Sequence, residues 1–209
     1  MIWDKLSPFY DFAESIYNGK VFRGIAEEIK NYVGADDTVL ECACGTGLLS
    51  VPMAEKCKSL TATDYSDGML RQAKKKLKGF SNVKLDKVSI FELPYKNGSF
   101  DVVVAANVIH LLDKPQTALN ELKRVCKPNG KIIIPTYINK QKKNSTIAAN
   151  LLAKIGVDFK RQFDLEEYKN FFASFGFADV SYKVVEGRMP CAFAIIRNLN
   201  KRMKQNEEN

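Results

Sequence analysis

The residues of this chain best suited to chemistry are a carboxylate, two closely spaced glycines, and a second carboxylate nineteen residues past the first glycine. Val39-Leu40-Glu41-Cys42-Ala43-Cys44-Gly45-Thr46-Gly47 reads as a buried strand ending in an acidic residue and then a glycine-rich turn. Leu48 to Lys56 reads as the helix that follows. Glycines in such a turn let the backbone approach a ligand closely, and the amides at a helix N-terminus receive an anionic group. A pyrophosphate would be repelled by Glu41, whereas an ammonium would be attracted. The usual dinucleotide spacing would also put glycine or alanine at position 50, which is Ser50. The turn therefore calls for a ligand with a cation near Glu41 and an acid group for the loop amides. Asp64 ends the next strand-like run, where a carboxylate can accept both hydroxyls of a ribose.

Other reactive side chains are few. His110 is the only histidine, and it falls just past the fourth strand-like run. It is a candidate general base for a hydroxyl or amine substrate, or a residue that orients one. The five cysteines are odd in number, and Cys42-Ala43-Cys44 is one residue too tight for a metal knuckle or redox pair. They read as small buried spacers, with no metal site expected and a reducing, cytoplasmic setting as the simplest reading. No apolar run approaches the ~20 residues of a membrane helix, and the first residues lack the pattern of a signal peptide, so no integral membrane association is expected. The net charge of +8 gathers at 71–78, 140–143 and 201–204 without interleaved aromatics. That pattern reads as solvated surface, makes nucleic acid an unlikely partner, and leaves peripheral contact with an anionic surface open.

The elements that must position these residues alternate. Val21, Phe22, Ile25, Ile29 and Val33 recur at helical spacing before Gly34. Strands are expected at 38–42, 60–63, 83–88, 100–106 and 131–137. Between them lie a helix capped by Ser66 with Met69, Leu70, Ala73 and Leu77 inward, and another capped by Asp113 with Pro115 in its first turn. This alternation predicts a single α/β domain over 1–209, with a mostly parallel sheet and helices on both faces. Near the end the rhythm changes. Asp164-Leu165-Glu166-Glu167 resembles a capping box, and runs at 178–185 and 191–197 predict an antiparallel hairpin at one sheet edge. Residues 1–33 are expected to supply an aromatic helical lid and the first helix, and 138–163 a substrate-side insertion. The stretch 198–209 reads as a flexible tail.

Four ordered stretches resemble the class I S-adenosylmethionine-dependent methyltransferases, closest to the small-molecule branch of the ubiquinone/menaquinone-biosynthesis type. Glu41 to Gly47 is similar to that family's D/E-x-x-x-G-x-G, and Thr63-Asp64-Tyr65-Ser66-Asp67-Gly68-Met69-Leu70 to its G-x-D-x-S-x-x-M-L. Leu93-Pro94-Tyr95 with Ser99-Phe100-Asp101, and Glu121 to Lys131, resemble the stretches flanking strand four and preceding strand five. The resemblance covers roughly residues 37–137. It implies a Rossmann-like seven-stranded sheet, S-adenosylmethionine as cofactor, S-adenosylhomocysteine as product, and a small-molecule or lipid-like acceptor. It also implies that Glu41 faces the methionine ammonium and that Cys42, Ala43, Gly45 and Gly47 supply close backbone. Asp64 holds the ribose, with Tyr65 and Met69 packing on ribose and adenine. Ile90 and Phe91 border the adenine, Asn107 offers its carbonyl to the ammonium, and Tyr10 closes over the cofactor. Ser89 stands where the family often has an aspartate for the adenine amino group. The family's amine-methylating tetrad is absent, since 105–108 reads Ala-Ala-Asn-Val. An RNA or protein methyltransferase and a non-catalytic cofactor-binding module are the alternatives. The motifs name neither acceptor atom nor oligomeric state.

Overall fold

The computed structural model describes residues 2–8, 10–139 and 160–199, without the side chains of 12–17. Most of the expected insertion and the tail, with their basic runs at 140–143 and 201–204, lie outside the described residues. The seven strands are β1 (Thr38–Cys42), β2 (Ser59–Asp64), β3 (Val83–Lys87), β4 (Phe100–Val104), β5 (Cys126–Tyr137), β6 (Val180–Val185) and β7 (Cys191–Arg197). They form one sheet in the order β3-β2-β1-β4-β5-β7-β6. Strands β1 to β5 pair in parallel, and β7 enters antiparallel between β5 and β6. The strand order reverses between β1 and β4. In open α/β sheets, ligands bind beyond the carboxyl ends of the strands at such a reversal.

Strand side chains alternate between two cores. Leu40, Val103, Ile132 and Ile134 point to one face, and Val39, Val102, Val104 and Ile133 to the other. Both faces are covered, so the central strands read as nearly continuous apolar runs. The first face is closed by α5 (Pro115–Val125) and α6 (Leu165–Ser174), through Leu119, Leu122, Tyr168 and Phe172. The second is closed by α2 (Tyr10–Lys30), α3 (Ser50–Ala54) and α4 (Asp67–Lys76), through Val21, Ile25, Met53 and Ala73. A short α1 (Ile2–Leu6) precedes them and buries no residue. The α2 helix departs from helical geometry at Asn18, whose Nδ2 donates to the Met189 carbonyl at 3.0 Å. Arg71, Lys74, Lys75 and Lys78 of the basic run are solvent-exposed, as expected.

Two helix starts differ in how far they follow the sequence. Asp164 accepts from the Glu167 amide and Glu167 from the Asp164 amide, so the expected capping box is present. Asp113 does not cap α5. The cap position is Lys114, without a side-chain bond, and Pro115 opens the helix. Proline at the first helical position needs no partner for an amide it lacks, so the cap is dispensable there. The helix expected from Leu48 to Lys56 is shortened to α3, because the glycine loop runs on to Leu49.

The two later motifs are braces. Arg124 donates to the carbonyls of Leu93 and Tyr95, both at 2.7 Å, and pairs with Glu121, which accepts from the Leu93 amide at 2.8 Å. Asp101 accepts from the Thr38 amide and hydroxyl at 2.9 and 2.7 Å and from Lys127 at 2.8 Å. Burial alone would raise the Asp101 pKa, but the Lys127 and Thr38 bonds outweigh it and pull it down to about 2. A lowered carboxyl pKa contributes stability that is present above the ordinary value of 3.8 and lost as pH falls toward 2. Asp101→Asn is therefore expected to lower stability by about 1 kcal/mol at neutral pH. It should also flatten the acid limb of the stability curve between pH 4 and 2, as read by denaturant unfolding at stepped pH. An unchanged acid limb would count against this assignment.

Candidate functional site

The glycine loop after β1 is built from three residues in the left-handed region, Ala43, Gly45 and Gly47, with φ of 55°, 57° and 81°. The two glycines serve different needs. A Cβ on Gly47 would sit 3.2 Å from the Ala73 backbone of α4, so this residue is needed for close packing. A Cβ on Gly45 would meet nothing within 4 Å, so that side of the loop is open to a ligand. The Cys44 amide donates to the Thr63 carbonyl at 2.8 Å, and the Thr63 hydroxyl donates to the Glu41 carbonyl at 3.1 Å. Cys42 points into the core beneath α5, and burial pushes its thiol up to about 12, leaving only its backbone near the loop.

Both carboxylates lie at this turn. Asp64 accepts from the Gly45 amide at 2.9 Å through Oδ2 and from the Ser66 amide at 2.8 Å through Oδ1. Burial raises its pKa while these amides oppose the rise. Each oxygen retains a lone pair, so the carboxylate can brace the loop and still accept two hydroxyls. Glu41 is only 2% exposed and takes the Ser50 hydroxyl at 2.5 Å. Burial pushes its pKa up to about 8; Ser50 opposes the shift and the neighbouring Asp64 charge adds to it. Ligand-free Glu41 is thus a neutral acid at pH 7, and a cation beside it would draw the proton off.

Residues that the sequence did not single out fasten the N-terminal helices over this turn. Asp4 of α1 accepts from the Ser66 hydroxyl at 2.7 Å and the Gly68 amide at 2.8 Å, at the start of α4. A Cβ on Gly68 would come within 2.6 Å of the Asp4 backbone, so the glycine admits α1. Asp11 of α2 accepts from the Thr46 hydroxyl at 2.5 Å and pairs with Lys76, which also donates to the Thr46 carbonyl. Nothing in the sequence marks Asp4 or Asp11 apart from other surface acids. Tyr10 lies between these two aspartates in the chain, half-buried and edge-on to Trp3 at 6.4 Å.

Beyond β2 and β3 lies a less polar surface. Tyr65 is 59% exposed with Lys87 over its ring, Phe91 is 37% exposed, and Met69 and Ile90 are buried beside them in the chain. The Val88 amide donates to the Asp64 carbonyl at 3.1 Å, tying this loop to the end of β2. The Ser89 hydroxyl already accepts from the Phe91 amide at 3.3 Å. Past β4, Asn107 is left-handed (φ 51°). Its amide donates to the Pro135 carbonyl at 2.8 Å and its side chain accepts from the Tyr137 amide at 3.2 Å. His110 sits in a single 3-10 turn, Ile109–Leu111, where burial lowers its pKa to about 4. It is neutral at physiological pH and weakly basic.

Known proteins resemble the chain across this site. A profile described as "Methyltransferase domain" matches residues 40–134, from within β1 to within β5. The ubiquinone/menaquinone biosynthesis C-methyltransferase of Rickettsia bellii is 28% identical over 216 residues, covering 89% of this chain and 87% of that one. These likenesses support a class I S-adenosylmethionine-dependent methyltransferase. It is also similar to the phosphatidylethanolamine N-methyltransferase of Cereibacter sphaeroides, at 31% identity over 64% of this chain and 65% of that one. The first curated relatives are spanned to between 55% and 87% of their own length. An S-adenosylmethionine-dependent methyltransferase of Thermotoga maritima shares the fold, with a TM-score of 0.72 and 20% identity over 94% of this chain and 98% of that one. The likeness points to S-adenosylmethionine as the methyl donor. The residues present suit it: an open loop face at Gly45, spare acceptors on Asp64, and a buried acid able to ionise beside a cation.

At pH 7, donor binding is expected to release about one proton as the cation ionises Glu41. Calorimetry in buffers of different ionisation enthalpy reads this directly, and Glu41→Gln should abolish the release. An equal proton count in both proteins would refute the ionisation of Glu41.

Proposed function

We propose that this methyltransferase moves the methyl group of S-adenosylmethionine onto a small, apolar, lipid-like acceptor by in-line displacement. The observation that carries the reading is the two-amide seat of Asp64 beside the open face of Gly45, which fits a ribose held against the glycine loop. Asp64 would accept the ribose hydroxyls, and Glu41, ionised on binding, would face the amino-acid ammonium. Cys42, Ala43, Gly45 and Gly47 would offer backbone alone, and Asn107 would offer its carbonyl to the ammonium. Tyr65, Met69, Ile90 and Phe91 would enclose the adenine. Ser89 accepts weakly compared with a carboxylate, so adenine recognition leans on packing and backbone. Tyr10, between the two aspartate latches, would cover the donor.

When bound, the donor supplies an electrophilic methyl on a positively charged sulfur. The protein's task is then chiefly alignment and exclusion of water. The acceptor's nucleophilic atom takes the methyl as the carbon–sulfur bond breaks, and the electron pair stays on sulfur in S-adenosylhomocysteine. His110 would face the acceptor and take up a proton only where the nucleophile sheds one. Its lowered basicity suits an acceptor that is already acidic better than a protonated amine. Relatives named for ubiquinone and menaquinone biosynthesis, and one named for phosphatidylethanolamine, support a lipid-like acceptor. A cytoplasmic setting follows the same reading. Among the described residues no helix is long and apolar enough to cross a membrane.

The reading is tested by incubating the protein with methyl-labelled donor and either a demethylmenaquinol analogue or phosphatidylethanolamine vesicles. Label in either organic product supports it, and S-adenosylhomocysteine formation with neither would overturn it. Asp64→Asn keeps one of the two amide bonds of the loop brace, sets the other amide against an NH2 group, and is expected to weaken donor binding about ten- to hundredfold (about 1–3 kcal/mol). Unchanged affinity with the fold intact would remove Asp64 from the ribose site.

A further inference from the structure

Past β4 the chain makes one 3-10 turn and stops, which leaves carbonyls at its end without helical partners. Two of these are met by a single residue far along the chain. The Arg161 amide donates to the His110 carbonyl at 3.1 Å, and Arg161 Nη1 donates to the Leu112 carbonyl at 2.6 Å. The guanidinium also lies over the ring of Phe171, 5.9 Å from its centroid. Phe171 is itself fixed by edge contacts with Phe163, Phe172 and Phe175, at 5.2, 5.2 and 4.9 Å. Next to it, Lys160 pairs with Asp113 at 3.1 Å, but Asp113 is largely exposed, so that pair contributes little. The Asn139 amide donates to the Phe163 carbonyl at 2.8 Å, which brings the chain after β5 to the same place.

The turn that carries His110 is therefore held from outside, by a cation stacked on the aromatic core of α6. A guanidinium suits this task because it stacks flat on a ring while its edge donates to a carbonyl; an ammonium cannot do both. We propose that Arg161 is a positioning residue for methyl transfer, acting through the 3-10 turn to hold the His110 ring toward the acceptor. This rests on the reading above that His110 faces the acceptor. Arg161 touches neither the glycine loop nor Asp64 in any bond described above, so its effect should fall on the acceptor side alone.

Because His110 is the only histidine, its imidazole protons give a resonance that needs no assignment. The full chain, Arg161→Lys and Arg161→Ala would be compared by this resonance, by S-adenosylhomocysteine affinity, and by kcat and KM for a demethylmenaquinol analogue. Both variants are expected to shift the imidazole resonance and to keep S-adenosylhomocysteine affinity within about twofold. The acceptor's kcat/KM should fall about tenfold or more in Arg161→Ala, and less in Arg161→Lys, which can still reach the Leu112 carbonyl. Should Arg161→Ala fail to fold, Arg161→Lys decides the matter by the same readings. An unmoved resonance in a folded variant, or a loss of S-adenosylhomocysteine affinity matching the loss of activity, would overturn the proposal. If the unaltered protein methylates no such analogue, that result counts against the acceptor assigned above. The resonance and the S-adenosylhomocysteine affinity still decide whether Arg161 holds His110.

Discussion

The site depends on one carboxylate that serves two loops. Asp64 takes the Gly45 amide with one oxygen and the Ser66 amide with the other, so the ends of β1 and β2 are fixed by the same group. Everything else at the switch point inherits this geometry. Ser66 caps α4, Gly47 packs against α4, and the loop after β3 returns an amide to the Asp64 carbonyl. A carboxylate that only met a ligand would be free to turn. This one is oriented before any ligand arrives, which lowers the entropic cost of binding.

The charges around that group oppose the protein as a whole. The chain is strongly basic, yet the turn gathers Asp4, Asp11, Glu41 and Asp64, with Lys76 paired to Asp11. A positively charged donor is drawn to such a place more than its product, which has lost the sulfonium charge. Glu41 moderates the field by staying protonated until a cation is present. Ion pairing of Asp11 with Lys76 does the same for the N-terminal latch. The arrangement favours exchange of product for donor without a lasting excess of buried negative charge.

Much of this was legible before any coordinates. The strand-ending acids, the glycine loop and the Ser66 cap are local patterns, and the structure places them together. The βα alternation pointed to a sheet covered on both faces, and the structure has helices on each. What could not be read were relations between distant segments. Asp4 and Asp11 are ordinary surface acids in sequence, and Lys76 belonged to what looked like one basic run. Arg161 gave no signal at all, because its partners are main-chain carbonyls that carry no mark in the sequence. The Asp113 cap was a sound local inference displaced by Pro115, which opened the helix without one. Glu41 was read as the group facing an ammonium; its depth of burial, which raises its pKa, is what the sequence did not show.

The place of β7 bears on how the protein is made. It is the last strand in chain order among those described, yet it lies inside the sheet, hydrogen-bonded to β5 on one side and β6 on the other. While the chain is emerging from the ribosome, β5 must wait with an open edge, and β6 has nothing to pair with until residues 191–197 appear. The nascent protein therefore carries a highly apolar strand, Ile132-Ile133-Ile134, with one edge open until residues 191–197 are made. A chain cut short before β7 would keep the donor-binding half of the sheet and still be prone to aggregate.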